Sequence, residues 1–155
     1  MLHATFILDA FDQEEPYDDV DGVAFARAHV KKTFSGDVKG TGKVEMLSTR
    51  TQGGAGYVAL ERLTVELLGR SGSFALLHAG TMIPPRKTNS DVGEAVSSDD
   101  AGAIENKEKP TLWATWPIVP GSGTGALEGI QGSGSIEIDD DGMHHFYLDC
   151  TFTEK

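Results

Sequence analysis

Apolar residues recur at every second position over most of this chain, the period of a half-buried β-strand and not of a helix. In residues 3–13 the alternation puts Phe6, Leu8 and Ala10 on one face. It resumes over 23–34, over 42–51 with Val44 and Met46 inward, over 57–68 and over 73–82. Three more runs follow at 111–119, 134–139 and 144–152, the last with Phe146, Leu148, Cys150 and Phe152 on one face. A polar turn occupies 14–22. Glycine-rich pieces at 36–42, 69–72 and 129–134 each separate two strand-like runs, as hairpin turns do, because glycine supplies positive φ without steric cost. Consecutive hairpins predict an all-β fold, a single antiparallel up-and-down β-barrel of about eight strands.

Residues 84–110 break the pattern, being polar, charged and nearly free of aromatics. They read as a long loop inserted in the barrel, with a weak helical signal near 100–107. It serves either as a lid over a barrel mouth or as a solvated insertion.

Closing the hairpin across Gly69 and Gly72 fixes a register. Leu67 then faces Phe74, Val65 faces Leu76, Leu63 faces His78 and Glu61 faces Gly80. Tyr57, Ala59, Glu61, Leu63, Val65 and Leu67 join Phe74, Leu76, His78 and Met82 on one apolar surface, with Arg62, Glu66 and Ser73 on the other. Glu61 and His78 become diagonal neighbours, roughly 7–8 Å apart at the backbone. A carboxylate among apolar side chains is costly unless paired or protonated. It therefore marks either a polar anchor or acid–base group for an internal ligand, or a structural pair in which His78, Arg70 or a buried water satisfies Glu61. A third reading makes this face an oligomer interface.

Composition narrows the function classes. A net charge of −11 over 155 residues repels nucleic-acid backbones and anionic membranes. The single cysteine, Cys150, excludes an internal disulfide and a cysteine-based zinc cage, and reads as a small buried hydrophobe. No stretch reaches membrane-spanning length, and residues 1–15 lack the basic and apolar regions of an export signal, so a cytoplasmic protein is expected.

The remaining motifs read as turns. Gly121-Ser-Gly123-Thr-Gly125 lacks the Lys-Ser/Thr of a phosphate loop, and Gly129-x-x-Gly132-x-Gly134 lacks the strand-then-helix setting of a dinucleotide site. Asp139-Asp-Asp-Gly142 lacks the bidentate Glu of a calcium loop. His144 and His145 are adjacent on a strand and point to opposite faces. Neither a metal nor a cofactor is implied. Trp113 and Trp116 also fall on opposite faces, so one is expected inside, and Trp116 is placed to wall a pocket or fill the core. Tyr17, following Glu15-Pro16, is placed to cover a barrel end.

Several of these segments carry a resemblance. Glu15-Pro16-Tyr17-Asp18, Lys32-Thr-Phe34-Ser-Gly36-Asp37, Leu60-Glu61-Arg62, Gly69-Arg70-Ser71-Gly72-Ser73-Phe74, His78-Ala-Gly80-Thr81 and Thr115-Trp116 through Gly121-Ser-Gly-Thr-Gly125 stand in that order. Together they resemble a bacterial domain-of-unknown-function family with an allene-oxide-cyclase-like β-barrel of lipocalin-like shape. The resemblance spans nearly the whole chain outside 84–110. It implies the barrel fold but no cyclase chemistry. Polar residues including asparagines position a water in the plant cyclases, and the asparagines here, Asn89 and Asn106, both fall in the loop.

Three function classes follow. The first is a module binding a small, mostly apolar molecule inside the barrel, with Glu61 and His78 at its polar end and Trp116, Tyr57 and Tyr17 as further contacts. The second is a cyclase or isomerase using Glu61 or His78 as acid or base. The third is a structural or interaction protein with a filled barrel. A homo-oligomer is the expected assembly.

Overall fold

The computed structural model describes residues 1–84 and 111–153. Its strands are β1 (Leu2–Gln13), β2 (Asp18–Val20), β3 (Val23–Gly36), β4 (Val38–Thr51), β5 (Gly54–Leu67), β6 (Arg70–Ile83), β7 (Thr111–Thr115), β8 (Ile130–Ile138) and β9 (His144–Phe152). A 3₁₀ turn spans Gly125–Leu127. The strands lie in the order β7-β6-β5-β4-β3-β1-β9-β8, and β2 pairs with β3. Every pairing is antiparallel, so the expected all-β barrel of eight strands is the fold observed.

The path from β7 to β8 nearly closes. After Thr115 the chain leaves the β7 ladder and runs between β6 and β8. Leu77 and Val119 complete two backbone bonds on the β6 side, Leu77 N–H to Pro117 O at 3.0 Å and Val119 N–H to Ala75 O at 2.8 Å. On the β8 side Ile118 N–H donates to Gly132 O at 2.9 Å and Gly134 N–H to Trp116 O at 2.8 Å. The expected strand over 111–119 is therefore a strand to Thr115 and then a seam. Pro117, which has no N–H to give a ladder, sits in that seam.

The alternation read from the sequence divides the barrel wall. Along β5, Ala59, Glu61, Leu63, Val65 and Leu67 are buried, while Val58, Leu60, Arg62, Thr64 and Glu66 are exposed. Along β3, Ala26, Ala28, Val30, Lys32 and Phe34 are buried. Large residues fill one part of the interior, including Phe6, Phe34, Leu63, Phe74, Leu76 and Phe146. A smaller cluster of Val30, Val44 and Ala59, flanked by Met46 and Tyr57, forms a second part.

Local details depart from the expectation. The β5–β6 turn is two residues, Leu68 and Gly69, with φ of 51° and 70°. Positive φ at both centres is the mark of a type I′ hairpin. Pairing therefore runs Leu67 to Arg70, Leu63 to Phe74, Glu61 to Leu76 and Ala59 to His78, four residues from the register inferred across Gly69 and Gly72. An even slip preserves the faces, so the inward set survives it. In β1 a bulge between Leu8 and Ala10 ends the alternation, and Leu8 is exposed. Met82 is also exposed, and Ser73 is buried through its bond to Thr124 Oγ1 at 2.7 Å. The expected polar turn at 14–22 contains β2, closed onto β3 through Asp21 and Gly22. The loop and helix expected within 85–110 lie outside the described residues.

Candidate functional site

Three charged or polar side chains meet inside the barrel. Lys32 comes from β3, Glu61 from β5 and His78 from β6, and all three are buried. Each occupies an inward position of its strand because the period-two alternation allows nothing else without flipping the whole hydrophobic set outward. Lys32 Nζ donates to Glu61 Oε2 at 2.9 Å. His78 Nε2 lies 2.9 Å from the same oxygen. Its direction is not that of a formed hydrogen bond, so among the described residues Nε2 has no aligned partner. Glu61 Oε1 is buried with no hydrogen-bond partner among the described residues.

β4 lies between β3 and β5, and the Glu61 carboxylate must pass its inner face to reach Lys32. Gly42 makes this possible, since a Cβ there would collide with Glu61 Oε1 and would meet Phe34 Cε2 at 3.0 Å. Gly42, expected where a turn meets a strand, lies inside β4, and its missing side chain is the space the carboxylate occupies.

Aromatic rings frame the three groups. The His78 ring stacks on Trp116 with centroids 3.5 Å apart. Lys32 Nζ sits 4.7 Å from the Phe6 ring centroid and 5.1 Å from that of Trp116. Burial pushes the Tyr57 phenol up, and the neighbouring Trp116 offsets only part of that. Tyr57 lies over Gly80, where a Cβ would come within 2.8 Å of its Cε1.

Burial is the largest influence on each titrating group. It pushes the Glu61 carboxyl up, but His78 and Lys32 together overcome it and hold the group below the ordinary carboxylate range. It pushes the Lys32 ammonium and the His78 imidazole down, and the attraction of Glu61 offsets only part of that. These directions fit an anionic Glu61, a cationic Lys32 held by it, and a neutral His78 at neutral pH.

Of the residues singled out in the sequence, Glu61, His78, Trp116 and Tyr57 are brought together. Tyr17 is not: it is exposed outside the barrel against Phe25, with the Arg27 guanidinium 5.5 Å from its ring centroid. Arg70, offered as a partner for Glu61, instead lies 4.1 Å from the Phe152 centroid. Trp113 is exposed and Trp116 buried, dividing the tryptophans as expected. Lys32 is the group sequence reasoning missed. Its signal was present, because it continues the inward series Ala26, Ala28, Val30 and precedes Phe34.

His144 packs on Phe6 at a centroid separation of 4.8 Å, while His145 bonds Asp139 Oδ2 at 2.9 Å and His3 Nε2 at 3.0 Å. Asp139 also accepts the backbone N–H groups of Asp141 and Met143, closing the expected turn. Among the described residues no group of three His, Cys, Asp or Glu is placed to hold a metal ion. Among the same residues no helix is long and apolar enough to cross a membrane.

Fold and site together define a small antiparallel β-barrel with one charged layer in its interior. The chain belongs to the DUF3224 family, described as proteins of unknown function, whose model matches residues 2–93 and 93–150. It is similar to the crystal structure of a DUF3224 protein of unknown function from Shewanella oneidensis MR-1, at 29% identity, covering 99% of this chain and 97% of that one with a TM-score of 0.75. No curated protein matches.

Proposed function

We propose that the barrel binds a small, mostly apolar molecule whose polar end sits against Lys32, Glu61 and His78. The observation that supports this most is the unpartnered Glu61 Oε1 within a buried charged layer. An orphaned carboxylate oxygen is expensive to keep, and a ligand donor or a held water relieves it. The part of the interior beside this layer carries the small side chains Ala26, Ala28, Val30, Val44 and Ala59, with Met46 and Tyr57 at its flank. The ion pair already balances its own charge, so the layer suits a neutral head with a hydrogen-bond donor, such as an alcohol or amide.

A second reading has its own observation. Glu61 Oε2 is fully engaged by the Lys32 ammonium, which suits a structural layer in a filled barrel. That pairing also lowers the basicity of Glu61, which weighs against its use as the base of a cyclase or isomerase.

Gentle native mass spectrometry of protein purified from cells separates the readings. A co-purifying neutral molecule, absent from Glu61→Gln and His78→Phe variants that remain folded, supports binding. A clean apo mass in every preparation, with no gain in melting temperature across a panel of apolar alcohols and amides, supports the filled barrel.

A further inference from the structure

The outer face of β4, β5 and β6 carries an apolar island that the interior site does not use. Cross-strand pairing arranges it in rows: Leu47, Val58 and Ala79 in one, and Leu60 with Leu77 in the next. Val58 is 55% and Leu60 57% exposed, unusual for side chains in the middle of a sheet face. Two clefts of about 510 and 460 Å³ meet on it, sharing Leu47 and Val58. Neither is lined by Glu61 or His78, although the first includes Met46 and Ala59 and the second Tyr57.

Charge is distributed unevenly around the island. On one side the next row is wholly basic across three strands, Lys31 beside Lys43 beside Arg62, in a chain of net charge −11. On the other side lie the row of Phe25, Thr49 and Gly56, and beyond Phe25 the acidic β2 residue Asp18. The face therefore runs from a basic row to the lone Asp18, with the apolar residues and Arg27, His29 and Glu45 between them.

From this the geometry points to a second copy of the chain as the occupant, packed face to face about a two-fold axis. The axis lies across the strands between the rows of Val58 and Leu60. It sets Val58 on the partner's Leu60 and Ala79 on the partner's Leu77. It sets Arg27 on the partner's His29 and Leu47 on the partner's Glu45, and Lys31 on the partner's Phe25, one strand from Asp18. Arg62 falls on the partner's Gly56, where no side chain opposes it. An isologous contact requires such self-complementarity. The four strands β3 to β6, about 4.8 Å apart, and four rows about 6.8 Å apart give a face on the order of 500 Å² per copy. Two such faces total roughly 1,000 Å², the least that a specific interface buries.

Sedimentation equilibrium of the full chain, over micromolar to near-millimolar protein, tests this. Twice the 16.5 kDa chain mass is expected for the wild type. Leu60→Glu, or Leu77→Glu if the first loses its far-ultraviolet circular dichroism, should give the monomer with native secondary structure. Lys31→Glu should weaken association by roughly tenfold, and adding Asp18→Lys should restore it. A monomeric wild type overturns the proposal. So does a dimer that survives both glutamate substitutions, or a charge swap that rescues nothing.

Discussion

Glu61 and Lys32 are bonded at 2.9 Å across a strand that belongs to neither of them. The side chains come from β5 and β3 and meet over Gly42 of β4. The pair ties three strands together from inside the barrel, where backbone ladders alone join neighbours. Its energetics turn on desolvation. Two ions removed from water lose several kcal/mol each, and their attraction restores this only while both are present.

Lys32→Met should therefore be strongly destabilising, by about 3–5 kcal/mol, because it strands the Glu61 carboxylate. The double variant Lys32→Met with Glu61→Leu should recover most of that loss. Urea unfolding of the two proteins, with equal m-values, provides the comparison. A single variant as stable as the wild type would show that the pair contributes no support.

Gly42→Ala should cost about 1–3 kcal/mol, because the added methyl group takes the place of Glu61 Oε1. Combining it with Glu61→Ser should cost less than the sum of the two changes. Thermal denaturation of all four members of the cycle measures the coupling. Strict additivity would mean that the carboxylate does not rest on Gly42.

Acid should weaken the fold through two groups acting in the same direction. The His78 imidazole is held below its ordinary 6.5 by burial, so the unfolded chain takes up that proton first. Stability then falls as pH drops below 6.5 and stops falling beneath the lowered folded value. Burial pushes Glu61 up, but His78 and Lys32 overcome it, so its contribution is present above the ordinary 4.5 and lost as pH falls through its lower folded value. His29 acts oppositely, because hydrogen bonds to Glu14 and Glu45 raise it on the surface. Unfolding free energies between pH 5 and about 8 should thus slope less steeply in His78→Gln than in the wild type. Equal slopes would remove His78 from the account.

Leu68→Asn should raise stability by about 0.5–1 kcal/mol. Leu68 holds φ of 51° in the β5–β6 turn and is 62% exposed, so it pays a left-handed backbone cost with little burial in return. Asn-Gly is the favoured pair for a type I′ turn. A melting temperature unchanged or lowered in Leu68→Asn would count against the turn assignment.

Much of the barrel was legible because it rests on local alternation. Glu61 and His78 could be placed together even from a register four residues off, since slips by an even number keep every side chain on its face. The turn itself was misread because Leu68 is not a residue that advertises positive φ, while Gly72 does and is in fact inside β6. Gly42 stands where a turn piece meets a strand in the sequence, and its close approach to Glu61 is not legible there because glycine signals both tight turns and close approach.

The sequence alone determined most of the inward faces, apart from Leu8 at the β1 bulge and Ser73 and Met82 toward the ends of β6. A period of two leaves one apolar face, and burying it accounts for the strands, the barrel class and the inward position of Lys32 as well as Glu61 and His78. Tertiary structure decided which inward residues touch. Lys32 and Glu61 are 29 positions apart and lie on strands separated by a third. Their contact depends on barrel curvature, on pairing through β4, and on the missing side chain at Gly42. Trp116 reaches His78 only because the seam after Thr115 closes β6 toward β8. Alternation is a property of each strand by itself, whereas these contacts exist only once the sheet has curled back on its own edge.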